Sequence, residues 1–415
     1  MKLDYVCVDL GASDTRVENA SGNVRVVPNN MCDVTGRDSE ADRVEPNDNS
    51  LESNIDVTIN KIDGAECSHF PVRAMYGKMA ERFSISQVRP NSMEHKSDQQ
   101  VNYVSAILGA ATQRLSEGTG ENIVMFIAVP PVEINKARDK FAQLLGRYEV
   151  KFNKYLNGAK VIFNVVSVVC KSESELAMAS MLFSQDGKPR PEHKTLFKKK
   201  VLSVDIGAST SDLCVCINGK PVEVAGRTYK VGGNVARAYF INLIRENFGF
   251  DMSLSDAERA IAEGRMQMGD SYVDVSEYVK QSKMQLAERV VQSLQTYFNE
   301  IDMPIQSFNA VAVSGGGSMR GQYVDENSND VITTSEPLSS FVIEPLKKIC
   351  STIEVVHYGE DARYANIYGL ALAAKAEMPK IEAKLNLEFN VAAEHPVAQP
   401  QVATAQVTST VAEFN

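Results

Sequence analysis

Val8-Asp9-Leu10-Gly11-Ala12-Ser13 and Val204-Asp205-Ile206-Gly207-Ala208-Ser209 are two versions of one phrase, and the chain is organised around its repetition. The first follows the apolar run Tyr5-Val6-Cys7 and the second follows Val201-Leu202, and Asp, Gly, Ala and Ser recur at one constant offset. In each copy an apolar strand delivers a carboxylate and a Gly-Ala-Ser turn follows. The chain then returns through Thr15-Arg16-Val17 or Asp212-Leu213-Cys214-Val215. A tight glycine-bearing turn between two strands points backbone N–H groups into one concavity, which suits a phosphate. Asp at the strand end suits a hard, oxygen-seeking cation such as Mg2+. Two such hairpins facing each other would clamp a nucleotide tail from both sides.

The rest of the chain supports two half-domains around that pair. At 415 residues it exceeds one ordinary core. Hydrophobic residues at 44% and charged ones at 23% are those of a soluble globular protein. A net charge of −10 disfavours direct grasping of nucleic acid. Seven cysteines without a C-x-x-C pair, and histidines without H-x-x-x-H spacing, point to reduced thiols in a cytoplasmic protein and away from a disulfide framework or zinc site. Met1-Lys2-Leu3-Asp4 runs straight into a strand, so no signal peptide is expected, and no apolar run reaches membrane-spanning length.

In chain order, residues 4–28 read as a pair of hairpins turning at Gly22-Asn23. Residues 31–70 read as a small inserted subdomain, polar through 66, weak in core and mobile, with one alternating run at Ile55–Ile59. A helix is expected over Val101–Leu115, ending at Gly118. The run Ile123–Val129, closed by Pro130-Pro131, fits a strand buried on both faces. Asn135–Arg147 reads as helix, Val161–Val169 as strand and Ser174–Phe183 as helix, an α/β alternation with a parallel component. Residues 1–186 thus form the first domain, and the basic stretch 187–200 reads as a solvated linker.

Residues 201–380 restate the first domain. They carry a hairpin at Ile217-Asn218-Gly219-Lys220, a Gly232-Gly233 turn and the helix Val235–Glu246. A mostly helical insert over 250–300 follows, capped by Ser253 or Ser255. Strand Ala310–Val313 and a last helix Ala362–Glu377 complete the domain, and 381–415 read as a disordered tail, without the basic face of a membrane anchor.

Two further stretches carry chemistry. Ser314-Gly315-Gly316-Gly317-Ser318-Met319-Arg320-Gly321 follows a buried strand, where glycines admit close approach to a ligand and a following helix start would favour negative charge. Its pattern is neither G-x-G-x-x-G nor G-x-x-x-x-G-K-[ST], which disfavours a dinucleotide fold and a P-loop. Lys171-Ser172-Glu173-Ser174-Glu175 stands between a buried strand and a helix. Such a carboxylate can orient a water toward a γ-phosphate, but taken alone it reads as a first-turn Glu complementing the helix dipole.

Taken in order, these residues resemble the actin superfamily of ATPases, a duplicated, ribonuclease-H-like α/β fold of two domains around a nucleotide cleft, with small inserted subdomains. Asp9–Thr15 resembles the first phosphate motif, Asp205–Asp212 the second and Ser314–Gly321 the adenosine motif, Met319 included. Ala365-Asn366-Ile367-Tyr368-Gly369-Leu370-Ala371 resembles the second connecting helix, and Glu258–Arg265 stands where a helix faces the adenine. Within the superfamily the sequence is most similar to ParM-type bacterial actins, whose first connecting helix opens on Glu-Ser as Glu173-Ser174 does here.

The resemblance implies ATP with Mg2+ in the cleft. Asp9 and Asp205 would serve the metal, and Glu173 with Asp205 would order the hydrolytic water. Gly11, Ala12, Ser13, Asp14 and Thr15 would hold the nucleotide with Gly207, Ala208, Ser209, Thr210 and Gly233, and Gly315, Gly316, Gly317 and Met319 would hold its adenosine. Arg16 sits in the region where the family often places Lys. The implied function is an ATP-dependent filament that segregates plasmid DNA through a centromere-binding adaptor, in the cytoplasm, without touching membrane and touching DNA only indirectly. Rival readings are a cell-shape or division actin, a sugar or small-molecule kinase of the same superfold, and a heat-shock chaperone ATPase domain. The last is weakened by the short stretch after Pro379.

Overall fold

The first Asp-x-Gly-Ala-Ser phrase closes strand β1 (Leu3–Leu10) and turns into β2 (Asp14–Asn19), with Asp9 opposite Arg16 and Leu10 opposite Thr15. The structure, a computed structural model, describes residues 3–45, 55–64, 66–83, 87–91, 94–117, 122–154, 158–325, 328–358 and 362–394. Residues Lys2–Ala376 make one compact unit.

The first half continues with β3 (Val24–Pro28), β4 (Met31–Asp33), helix α1 (Asp38–Ala41), β5 (Asp56–Gly64), β6 (Val72–Tyr76), α2 (Lys78–Phe83) and α3 (Gln100–Glu117). Then come β7 (Asn122–Val129), α4 (Ile134–Phe141), β8 (Gly146–Phe152), β9 (Lys160–Ser172) and α5 (Glu173–Leu182). The nine strands form one sheet in the order β3-β2-β1-β7-β9-β8-β5-β6-β4, with β1, β7 and β9 parallel. Ile123, Val124, Met125, Phe126, Ile127, Ala128 and Val129 of β7 are all fully buried, as expected for a parallel strand covered on both faces.

The second half holds β10 (Lys200–Ile206), β11 (Ser211–Ile217), β12 (Lys220–Pro221), β13 (Arg227–Tyr229), α6 (Gly233–Phe248), α7 (Leu254–Glu263), β14 (Arg265–Met268) and β15 (Ser271–Asp274). It continues through α8 (Ser276–Glu300), β16 (Ala310–Ser314), β17 (Gly321–Val324), β18 (Val331–Ser335), α9 (Leu338–Ile349), β19 (Glu354–His357) and α10 (Ala365–Glu394). Its main sheet has the order β12-β11-β10-β16-β19, with β13 also on β11. The sequence repeat is therefore a repeat of topology. A hairpin pairs antiparallel, and its first strand lies parallel to a later strand, β7 in one half and β16 in the other.

Each sheet has its own core. Val6, Val8, Ile107, Ile127 and Phe141 belong to the first, and Leu202, Val204, Leu286, Val290 and Val342 to the second. Burying one such side chain contributes about 1.5–3 kcal/mol, so these two cores fix the hairpins firmly.

Several expectations change. The described residues of 31–70 are not weak in core: Val57 and Ile59 are fully buried, and β5 pairs with β8 inside the large sheet. The buried Arg73 guanidinium bonds Asp56 (2.8 Å) and also Asp38 and Asp42, which ties the polar stretch down. The helix expected to reach Arg147 ends at Phe141. Gly146 then opens β8, whose alternating burial through Tyr148, Val150 and Phe152 marks a half-covered strand. The basic linker is not merely solvated, since Leu196 is buried beside Met178, Met181 and Leu182 of α5. The insert over 250–300 is mostly helical but carries the β14–β15 hairpin, and Ser253 caps α7 by accepting from the Asp256 N–H at 3.1 Å. The last helix does not stop at Glu377, for α10 runs through Pro379 to Glu394. The helix end at Gly118 and the tail beyond Glu394 lie outside the described residues.

Candidate functional site

Both hairpins point their turns at one cavity of about 460 Å³, within the usual size of a ligand pocket. Gly11–Ser13, Asp14, Gly207–Thr210, Gly233, Gly315–Gly317 and Met319 all line it, and so do Asp9, Glu173 and Asp205. Thr15 does not. Its side chain is fully buried behind the turn and donates to Asn29 Oδ1 at 2.7 Å, which makes it a brace for the loop. Asn29 also donates to the Gly11 carbonyl and accepts from Ser105 at 3.0 Å.

The turns close on themselves in matching ways. Gly11 N–H donates to the Asp14 carbonyl at 3.0 Å, and Gly207 N–H donates to the Thr210 carbonyl at 2.8 Å. In the second half the start of α6 packs onto the turn, with Gly233 N–H on the Gly207 carbonyl (3.0 Å) and Asn234 N–H on the Ala208 carbonyl (2.7 Å). These first amides of α6 therefore position the hairpin.

The glycine-rich stretch starts where β16 ends beside Asp205, Ser314 being the register partner of that Asp. Gly315 has φ +89°, and a Cβ there would collide with the Asp205 carboxylate, so only glycine fits. No helix follows the stretch. A short 3-10 turn, Gly316–Ser318, leads into β17, so the expected helix start is absent. Met319 is held from below by Lys283 of α8, whose ammonium donates to the Met319 carbonyl (2.9 Å), Ser335 Oγ (2.8 Å) and the Glu336 carbonyl (2.9 Å). Burial lowers the Lys283 pKa to about 8, with Glu336 opposing. Of the 258–265 stretch, Glu258, Ile261 and Ala262 reach the cavity wall.

The two hairpins differ in charge. Asp9 accepts from Arg16 Nη1 at 3.0 Å, and Arg16 Nη2 lies 2.7 Å from Asp14. Arg363, just before α10, bonds the other oxygen of Asp14. Arg16 is thus bound to two carboxylates rather than held free for a phosphate. In the second hairpin Asp205 faces Asp212. Burial raises both pKa values, that of Asp212 to about 7, while hydrogen bonds from Asn366 (2.8 Å) to Asp205 and from Thr228 (2.5 Å) to Asp212 oppose the rise.

Glu173 opens α5 and is 5% exposed. Burial pushes its carboxyl well above the usual range, opposed by Lys96 and reinforced by Asp212, Asp9 and Asp205. The Lys96 ammonium bonds Glu173 Oε1 directly. Lys96, Lys283 and Arg363 escape a motif reading, because distant turns and helix faces bring them to the site. A lone Lys on the apolar face of α8 was the one available signal.

The donor set fits a magnesium ion, since the metal candidates Asp9 and Asp205 are hard carboxylates beside the two glycine-bearing turns. Among the described residues no group of three or more His, Cys, Asp or Glu forms a metal cage. Mg2+ needs none, because it typically takes one or two carboxylates plus phosphates and water. No described helix is long and apolar enough to cross a membrane.

Comparison with known proteins places the architecture. Residues 203–322 match the family model described as archaeal actin homologue MreB-like, C-terminal. Among solved structures, the actin-like protein Alp7A has TM-score 0.68 at 16% identity, with 93% of this chain and 100% of that chain covered. The archaeal actin homologue Ta0583 in complex with ADP has TM-score 0.61 at 15% identity, covering 91% of this chain and 100% of its own. A Bacillus thuringiensis ParM with ATP gives 0.61 at 14% identity, covering 91% and 100%. No curated protein matches the sequence. The chain has the actin-like fold.

Proposed function

We propose that this chain is an actin-like ATPase, with Mg-ATP bound between the two hairpins and with hydrolysis coupled to the assembly of homopolymeric filaments. The observation that carries the reading is the convergence of both Asp-x-Gly-Ala-Ser turns, the glycine stretch and Glu173 on one cavity. Asp9 and Asp205 would hold the Mg2+ ion and its waters, and the ion would screen the phosphate charge. The turns at Gly11–Asp14 and Gly207–Thr210 would cradle the phosphates, with Gly233 beside them, and Gly315–Gly317 with Met319 would carry the adenosine. Glu173 and Asp205 would orient one water. Its oxygen bonds to the γ-phosphorus as the bond to the β-phosphate oxygen breaks, ADP leaves with that electron pair, and the water's proton passes to a carboxylate.

Names borne by structures of the same fold, Alp7A and ParM, support a filament that moves plasmid DNA, and in this reading a centromere-binding adaptor would link the two. The acidic chain agrees with indirect contact to DNA, and reduced cysteines agree with a cytoplasmic place. The match of 203–322 to an archaeal MreB-like model supports a second reading, a cell-shape or division actin. Pelleting and negative-stain microscopy with ATP, ADP and no nucleotide test the proposal. Filaments are expected with ATP and their loss with ADP, and no polymer under any condition sinks the filament reading. Phosphate release without an added acceptor separates an ATPase from a sugar kinase, and sedimentation with liposomes would favour the second reading.

A further inference from the structure

Lys96 is one of three cations at the cavity that no motif predicts. It enters from the short turn Lys96–Asp98 ahead of α3, far in sequence from both hairpins. That turn is built to hold its place. Lys96 N–H donates to Glu133 Oε2 at 2.8 Å, and the Lys96 carbonyl accepts from Asn102 at 2.9 Å. Tyr103 OH donates to the Ser97 carbonyl at 3.0 Å, and Asp98 is bridged by Lys136 at 2.7 Å and by Lys140. Gln99 ties down the preceding segment through the carbonyls of Asn91, Glu94 and His95. The backbone is thus fixed, while the side chain, 20% exposed, reaches into the cavity and bonds Glu173.

The surroundings define what this ammonium can do. Glu173 feels Asp9, Asp205 and Asp212 in addition to Lys96. The nearby Arg16 is committed to Asp9 and Asp14. An ammonium on a flexible stem has three donors and moves readily between anionic partners. A terminal phosphate arriving between the hairpins presents such a partner.

We propose that Lys96 is a positioning residue that reads the terminal phosphate. Without a triphosphate its ammonium holds the Glu173 carboxylate, and with one bound it shifts to the phosphate and leaves Glu173 able to orient water. The inference rests on the nucleotide reading above. It predicts that occupancy by a triphosphate, and not by a diphosphate, activates Glu173.

The test measures binding of ADP and of a non-hydrolysable ATP analogue, each with a fluorescent ribose label, to the whole chain. The variants are Lys96→Met, Lys96→Arg and the charge-balanced Lys96→Met/Glu173→Gln. The last guards against misfolding from an unpaired buried carboxylate. In Lys96→Met and in the double variant, affinity for the analogue is expected to fall about tenfold while ADP affinity is unchanged, the scale of one charge-assisted hydrogen bond. Lys96→Arg is expected to recover part of the loss. Glu173→Gln alone removes the competitor for the ammonium and is expected to tighten the analogue. Equal losses for both nucleotides, or none, in the double variant would make Lys96 a structural counter-ion and overturn the inference. A wild-type chain that binds neither nucleotide overturns the nucleotide reading itself.

Discussion

The two hairpins share a backbone and differ in charge. Asp9 pairs across its hairpin with Arg16, and at the corresponding place Asp205 pairs with Asp212. Opposite charges across a strand pair stabilise it and like charges oppose it, so the first hairpin is balanced and the second is loaded. The second is relieved by neutral donors, Asn366 on Asp205 and Thr228 on Asp212. A duplicated fold thus carries two unlike charge environments: one balanced by an arginine across the hairpin, the other holding two carboxylates relieved by neutral donors.

The strongest attempt to break this asymmetry exchanges the roles of the two aspartates. Asp205→Asn should slow phosphate release about 10²–10⁴-fold, the usual scale for general-base loss, over and above the loss of Mg2+ binding it shares with Asp9. Asp9→Asn should weaken the Mg2+ dependence of nucleotide affinity in a titration with and without EDTA. If both variants lose the same quantity, the hairpins are equivalent after all. Glu173→Ala should act like Asp205→Asn on turnover while filaments still assemble.

Arg16→Met tests the balanced side. It leaves Asp9 and Asp14 buried without that partner and should cost about 3–5 kcal/mol in urea unfolding. Asp212→Asn tests the loaded side and should do the reverse. Wild-type Asp212 holds its proton more tightly when folded, its pKa pushed up to about 7 by burial. Between the ordinary carboxylate range and about 7 the folded state therefore binds more protons than the unfolded chain, and stability falls as pH rises. The Asn variant should flatten that fall in thermal melts taken from pH 5 to pH 8. A steeper fall would place the load elsewhere. As the smallest effect, Ser253→Ala, away from both hairpins, should cost about 1 kcal/mol through the lost cap of α7 and leave turnover alone.

What the sequence reveals follows from range. The hairpins, the buried run of β7 and the glycine stretch are local patterns, and each lies at the cavity or directly supports it. Thr15 belonged to the motif yet turned inward, because the side chains of a strand alternate between its faces. The strand β8 was hidden because its alternation follows α4 with only a short 3-10 turn between them. The burial of Val57 and Ile59 was hidden because β5 pairs with β8, far along the chain, and no spacing rule joins Asp38, Asp42 and Asp56 to Arg73. Lys96 and Arg363 reach the site through tertiary folding alone, and no spacing rule finds them.

The close approach of α5 and α10 has a mechanical consequence. A Cβ at Gly369 would strike the Leu176 carbonyl, so the two helices touch backbone to backbone. One of these helices begins with Glu173, and the other carries the Asn366 that holds Asp205. That contact sets a pivot point beside the reacting groups. Under the filament reading proposed above, a rotation about it would move the carboxylates little and the outer edges of the sheets far, so that a small change at the phosphate end would become a large one at the rim.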